Sequence, residues 1–568
     1  MSKKTKTSNS RRSFLRNSAL ATAAISLSPI DILTNNLVNG IIEKTIADEK
    51  NIDLGKYYVH LALAGGPPRW MFDLPLIPNG LKNSSNQNGD EFGKGPMLVT
   101  QMSDYQSLSA DYNLFQFMGY YFPHLWSTTV PTSDGGSKPM TELLRHMIMF
   151  RGLNLGADGH GMNRVKHVSP TPSGISLNGL AADEVGTPIP SIYMNSSLGY
   201  KSRSGVSAAN VSSSNPLSTM LSPFKLDSGQ SFNNEQIEGF VDRALNLLQR
   251  RAAQVDAKNK NMFNDRYSAK RLFKKEFGNL NETFSSLRAK YENLIKRSMS
   301  EHNLVGVDMQ PLISDGSFKF RVQSNLDNGQ IMIQEGVDIR DHIVIDGRTR
   351  GMLNAESSQG NTTIGNLASS LALAEFSILN NISNSVTLGS IGHLSNLQLA
   401  TRDFGLRTGR ISNNDAHASG YISTMFYFSK YYKALSACLL EFTDVLKNNT
   451  IGNKSYFEKS VIHIGGEFNR IARANGSGAD HGWQGSNTSV ITGMADRPHI
   501  IGNIKKSHGS RGGWGLAGEM NDGRDLIIGN VASSISVLLD KESPTPNDKS
   551  YLGLQNGKVQ SYEKPKNV

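Results

Sequence analysis

Acids and imidazoles gather beside glycine-rich backbone in two stretches of this 568-residue chain. The denser one reads Val461-Ile-His-Ile-Gly-Gly-Glu467-Phe-Asn-Arg470 and continues to Asn475-Gly-Ser-Gly-Ala-Asp480-His481-Gly482. An apolar run closes on a Gly pair and an acid, a Gly-rich loop follows, and an adjacent Asp-His ends it. That is the pattern of a short buried strand with ligand-type side chains at its C-terminal end, where open α/β sheets place their ligands. The second stretch, Asn413-Asn-Asp415-Ala-His417-Ala-Ser-Gly420, falls between a strand and a helix. Carboxylate oxygen with imidazole nitrogen is a ligand set for Zn²⁺, or for Ca²⁺, Mg²⁺ or Mn²⁺ where carboxylates dominate. Asp415, His417, Glu467, Asp480 and His481 are therefore the candidate ligands of a divalent metal. Plainer readings stand beside this one. Asp480 and His481 bond each other and cap the loop, or Glu467 pairs with Arg470 or Arg473.

The elements that must position these groups alternate. Residues 56–66 read as a first buried strand closed by Gly65-Gly66, which Pro67-Pro68 cannot continue. Residues 141–145 read as a short helix, 146–150 as a second strand, and 156–163 as a polar loop beyond it. Strands follow at 385–390, 461–468 and 487–494, with shorter ones at 318–322 and 330–334. Helices are expected over 367–379 and 421–446. Between 234 and 300 the chain reads as helical; Phe277, Leu280, Phe284, Leu287, Tyr291 and Leu294 keep the 3-4-3-4-3 spacing of a helix that packs on another helix. Strands alternating with helices, with polar clusters after strand ends, argue for an α/β domain built on a mainly parallel sheet with a helical insertion. The expected divisions are a signal and linker at 1–45, the first part of the α/β domain at 56–200, a flexible segment and helical insertion at 201–310, the second part at 311–545, and a frayed polar tail at 546–568.

Composition sets limits. Hydrophobic residues make up 38% and charged residues 19% of the chain, which is ordinary for a globular protein. The single cysteine, Cys438, excludes an intrachain disulfide. The net charge of +10 is uneven: residues 250–297 hold 13 Lys/Arg against 5 Asp/Glu. No nucleic-acid fold signature accompanies that excess, so it reads as a solvated helix face or a seat for an anionic partner. No stretch is long and apolar enough for a transmembrane helix.

The N-terminus, Ser10-Arg11-Arg12-Ser13-Phe14-Leu15-Arg16 followed by a modest apolar run, resembles a twin-arginine export signal. That implies a periplasmic or secreted product. Glu467-Phe-Asn-Arg470, then Asn475, Gly476, Gly478 and Asp480-His481-Gly482, resemble a family of twin-arginine-exported bacterial proteins of unknown function within the alkaline phosphatase/sulfatase-like superfamily. Asn414-Asp415-Ala416-His417 is similar to that family's upstream Trp-Asp-Thr-His, keeping both potential ligands. Gly65-Gly66 is similar to its strand-Gly-Gly-x-Asp opening, although Pro68 stands where the Asp belongs and Asp73 is the nearest acid. Gly159-His160 takes the place of its Ser-His, so the superfamily's hydroxyl nucleophile is missing.

The resemblance implies an alkaline-phosphatase-like fold and a metal-dependent hydrolase of phosphate or sulfate esters. His160 would be ligand or covalent nucleophile, and Arg470 would clamp the anion of a small-molecule or polymeric ester. The alternative it leaves is a catalytically inactive exported relative that binds an anionic polymer or a protein partner.

Overall fold

The computed structural model describes residues 55–74, 114–220 (less 172–173, 184–186, 188 and 213–215), 280–299, 319–325, 331–338, 363–391, 399–400, 410–411, 421–472, 479–506 and 514–565 (less 564). Arg11, Arg12, Asp415 and His417 lie outside them, as does most of the basic segment at 250–297.

A large, mainly parallel sheet flanked by helices organises these residues. Its strands, in chain order, are β1 (Tyr57–Leu63), β2 (Met147–Asn154), β3 (Ser191–Met194), β4 (Ala208–Val211), β5 (Ser385–Ile391) and β6 (Ser460–Gly465). A hairpin outside the sheet follows, β7 (Asn469–Ala472) with β8 (Ala479–Gly482), and then the sheet strands β9 (Ser486–Ile491), β10 (His499–Ile501) and β11 (Leu526–Ile527). The order across the sheet is β10-β2-β9-β6-β1-β5-β3-β4, with β11 pairing on the far end of β2. Every pairing is parallel except the two that β9 makes, with β6 and with β2.

The long helices are α1 (His160–Val168), α2 (Leu177–Ala182), α3 (Leu280–Met299), α4 (Thr363–Leu379), α5 (Tyr421–Asn448) and α6 (Ile528–Leu538). Period-two alternation sends β1 to both faces. Tyr57, Val59, Leu61 and Leu63 enter one core with α3, α4 and α5, while Tyr58 and Ala62 enter another with α1, α2 and α6. Helices cover both faces, so the central strands read as unbroken apolar runs rather than alternating ones. That is why the sequence marks them clearly.

The expected helical seam holds where it is described. Phe284, Tyr291 and Leu294 are buried on α3, with Leu287 packed against the same core. Polar contacts fix its register: Tyr291 donates to Glu375 Oε2 at 2.5 Å, and Lys290 bridges Glu375 and Glu441 at 2.8 and 3.3 Å. The pair expected at 318–322 and 330–334 is an antiparallel hairpin, Lys319–Asn325 with Ile331–Asp338.

Three expectations change. The segment from 201 is not wholly an excursion, because β4 within it forms an edge of the sheet. The strand expected over 461–468 ends at Gly465, and the chain then turns into the β7–β8 hairpin, so part of the expected loop is strand. Over its described residues the tail is not frayed: Leu552–Gln555 and Lys558–Ser561 form a hairpin that buries Tyr551, Leu552 and Val559. Asn556 and Gly557 turn that hairpin with φ of 53° and 74°, the positive pair a two-residue turn requires.

Candidate functional site

The parallel strands β2 and β6 flank β9 and end at the same edge of the sheet, and each end delivers part of one cluster. Glu467 follows β6 and is 3% exposed. Beyond β2 the chain carries Asp158 and enters α1 at His160, so the loop expected over 156–163 is shorter than it reads and its second half is helix. His160 Nδ1 bonds Glu467 Oε2. One turn along the same face of α1, Arg164 Nε lies 3.2 Å from Glu467 Oε1. The separation makes an ion pair, although the N–H is not aligned as a hydrogen bond. The imidazole is 40% exposed and the guanidinium 28%, so a buried carboxylate presents two cationic or proton-carrying groups to solvent.

His481, on β8, closes the other side. Its Nδ1 bonds Asp158 Oδ1 at 2.6 Å, and its ring meets that of His160 edge to face with centroids 4.8 Å apart. Phe468 supports both rings, stacking on His481 at 4.1 Å and meeting His160 at 4.8 Å. Of the expected site residues, then, His160, Glu467 and His481 come together. Asp480 sits beside His481 on β8.

Arg470 takes a different place from the one expected. It is buried, donates from Nε to Gly66 O at 2.9 Å and from Nη2 to Gly65 O at 3.2 Å, and lies over the Phe468 ring at 4.9 Å. Those carbonyls hold the guanidinium at the turn after β1, so the arginine paired with Glu467 is Arg164. Gly66, with φ of +58°, would place a β-carbon 2.7 Å from Phe468 Cε2. Gly66→Ala is expected to cost about 1–3 kcal/mol through overpacking and the left-handed backbone, read by urea denaturation.

Asp73, the nearest acid after Gly65-Gly66, is fully buried and held by a different set of residues. It accepts from Arg69 Nε at 2.6 Å, from Asn487 Nδ2 at 2.9 Å and from Ser489 Oγ. A carboxylate so occupied is a structural anion. Arg69 Nη2 also donates to Ile464 O at 3.1 Å, tying this turn to the end of β6.

Among the described residues no three of His, Cys, Asp and Glu are grouped to hold a metal ion. The donor chemistry agrees, because Glu467 is already shared by His160 and Arg164, and His481 Nδ1 by Asp158. The described residues alone therefore do not fit a divalent cation.

Beneath the cluster the same sheet face carries a second set of imidazoles. His60 on β1 and His463 on β6 are register partners, and His167 on α1 lies seven residues after His160; all three are buried. Thr488 Oγ1 donates to Ile464 O at 2.9 Å, so its oxygen accepts from His463 Nε2 at 2.8 Å. His463 Nδ1 is then an acceptor, taking the Tyr58 hydroxyl at 2.8 Å and facing His60 Nδ1 at 3.1 Å. His60 Nε2 and both nitrogens of His167 have no hydrogen-bond partner among the described residues. Burial, with the Arg69 charge nearby, lowers His60 to about 3, and burial holds His167 and His463 well below the usual imidazole range.

Sequence reading missed Arg164 and Asp158. The signal for Arg164 was helical spacing: 160, 164 and 167 share one face once α1 is recognised. Comparison of the chain with known protein families, with curated proteins and with solved structures finds no match.

Proposed function

We propose that the chain is an exported hydrolase of phosphate or sulfate esters of the alkaline phosphatase-like type, working at the partly exposed His160 and Arg164 between the first turn of α1 and the end of β6. The observation that carries this reading is Glu467, a buried carboxylate shared between His160 and Arg164. With Nδ1 engaged, His160 acts through Nε2, as a base toward water or as the nucleophile itself. Arg164 holds the anion, since a guanidinium matches tetrahedral oxyanions. Gly159 gives α1 no side-chain cap, so first-turn amides add to the positive potential there. The position of the cluster, beyond the C-terminal ends of parallel strands, fits a ligand site in such sheets. A divalent ion would need Asp415 and His417 to supply its ligands. Export rests on Arg11-Arg12 and their flanks.

The test is turnover of 4-nitrophenyl phosphate and 4-nitrophenyl sulfate by purified protein, with and without chelator. His160→Ala is expected to lower kcat/KM by about 10²–10⁴-fold, and Glu467→Gln to lower it in the same direction. Wild-type turnover no greater than that of His160→Ala, on both esters, would overturn the reading. A second reading, anion binding without turnover, is favoured by Asp73, whose pairing to Arg69 removes it as a ligand. It predicts sulfate or phosphate binding that Arg164→Met abolishes, with no hydrolysis.

A further inference from the structure

Two carboxylate–imidazole pairs face each other at this cluster. Glu467 engages Nδ1 of His160 and Asp158 engages Nδ1 of His481, with the rings 4.8 Å apart and nearly perpendicular. They come from separate elements, α1 and β8, and Phe468 packs against both. One such pair suffices to orient a base. The second has no part in that role.

We infer that His481 is the general acid of the proposed ester hydrolysis, giving a proton to the departing alcohol while His160 acts as base toward water. This assignment rests on the proposed function and extends its substrate class to alkyl phosphates, whose poor leaving groups need protonation. Position separates the two roles. His160 shares Glu467 with Arg164, the group that holds the anion, whereas His481 stands on β8 with Asp158 on its Nδ1. In the step, His160 Nε2 takes a proton from water as the water oxygen bonds to phosphorus. The bond from phosphorus to the alcohol oxygen breaks, and that oxygen takes its proton from the His481 imidazolium. His160 ends protonated and His481 neutral, and exchange with solvent restores both. The mechanism dispenses with a protein hydroxyl, in keeping with Gly159 where the resembled family has a serine.

Leaving-group dependence separates an acid from a scaffold. The experiment compares kcat/KM for 4-nitrophenyl phosphate, whose anion leaves without help, with that for methyl phosphate, across wild type, His481→Gln and Asp158→Asn. The expected result is a rise of at least about tenfold in the aryl-to-alkyl ratio for His481→Gln and a smaller rise for Asp158→Asn. An unchanged ratio in both variants, with both rates reduced alike, makes His481 structural and overturns the inference while leaving the hydrolase standing. Wild type inert toward both esters overturns the proposed function, and this assignment with it. Should His481→Gln fail to fold, Asp158→Asn, altered at an exposed carboxylate, still decides the matter.

Discussion

Acidification from pH 7.5 toward pH 4 is expected to destabilise the protein steeply, by up to roughly 4 kcal/mol per pH unit, the sum of three groups at about 1.36 each. The three groups are His60, His167 and His463. Folding lowers all three below the ordinary imidazole value, so the unfolded chain binds protons that the folded one refuses. Their contribution is complete above about pH 6.5, the value in an unfolded chain. It drains away as the pH falls toward the folded values, about 3 for His60. His146 and His499, also lowered but less buried, add to the same limb. A domain stable by about 5–15 kcal/mol cannot absorb that slope for more than a few pH units. Urea denaturation at half-unit steps reads the effect, and a flat profile between pH 6.5 and 4.5 would refute it. Within the set, His167→Leu is expected to be neutral or slightly stabilising at pH 7.5, because its ring nitrogens have no described partner, and to remove one proton from the slope.

Arg69→Met carries the largest expected loss at constant pH, about 3–5 kcal/mol. Arg69 and Asp73 are both buried, and removing the guanidinium leaves a carboxylate facing Asn487 and Ser489 with its charge uncompensated. The Ile464 carbonyl loses a donor as well. Adding Asp73→Asn to Arg69→Met should recover part of that stability, since the isolated charge goes with it. Chemical denaturation of the single and double variants checks this. Additive losses would show that the ion pair matters less than the packing of each side chain.

These effects mark where sequence reading stops. The central strands were legible because burial on both faces makes them continuous apolar runs. His60 and His463 interrupt two such runs, where an aliphatic side chain would contribute about 1.5–3 kcal/mol each. Yet nothing local tells that the two become register neighbours. The cluster of Glu467, His160 and His481 was legible in part, since acids and imidazoles after strand ends point to one edge of a parallel sheet. Arg470 misled because an arginine next to a Gly-rich loop looks like a clamp until the carbonyls of Gly65 and Gly66 are seen to claim it. Asp158 and Arg164 escaped because 156–163 reads as loop until the helix start at His160 is fixed. The C-terminal hairpin was the avoidable miss, for Asn556-Gly557 between the alternating apolar residues Leu552, Leu554 and Val559 is a direct hairpin signal.

The placement of β1 also has a kinetic consequence. Tyr58 pairs with Ser385 on one side and Val461 on the other, so the first of the described strands waits for neighbours made more than three hundred residues later. At roughly 5–20 residues per second that delay is on the order of tens of seconds. Throughout it, both apolar faces of the nascent segment Tyr57–Leu63 stay unsheathed on the ribosome, a standing opportunity for chaperones and for misassembly alike.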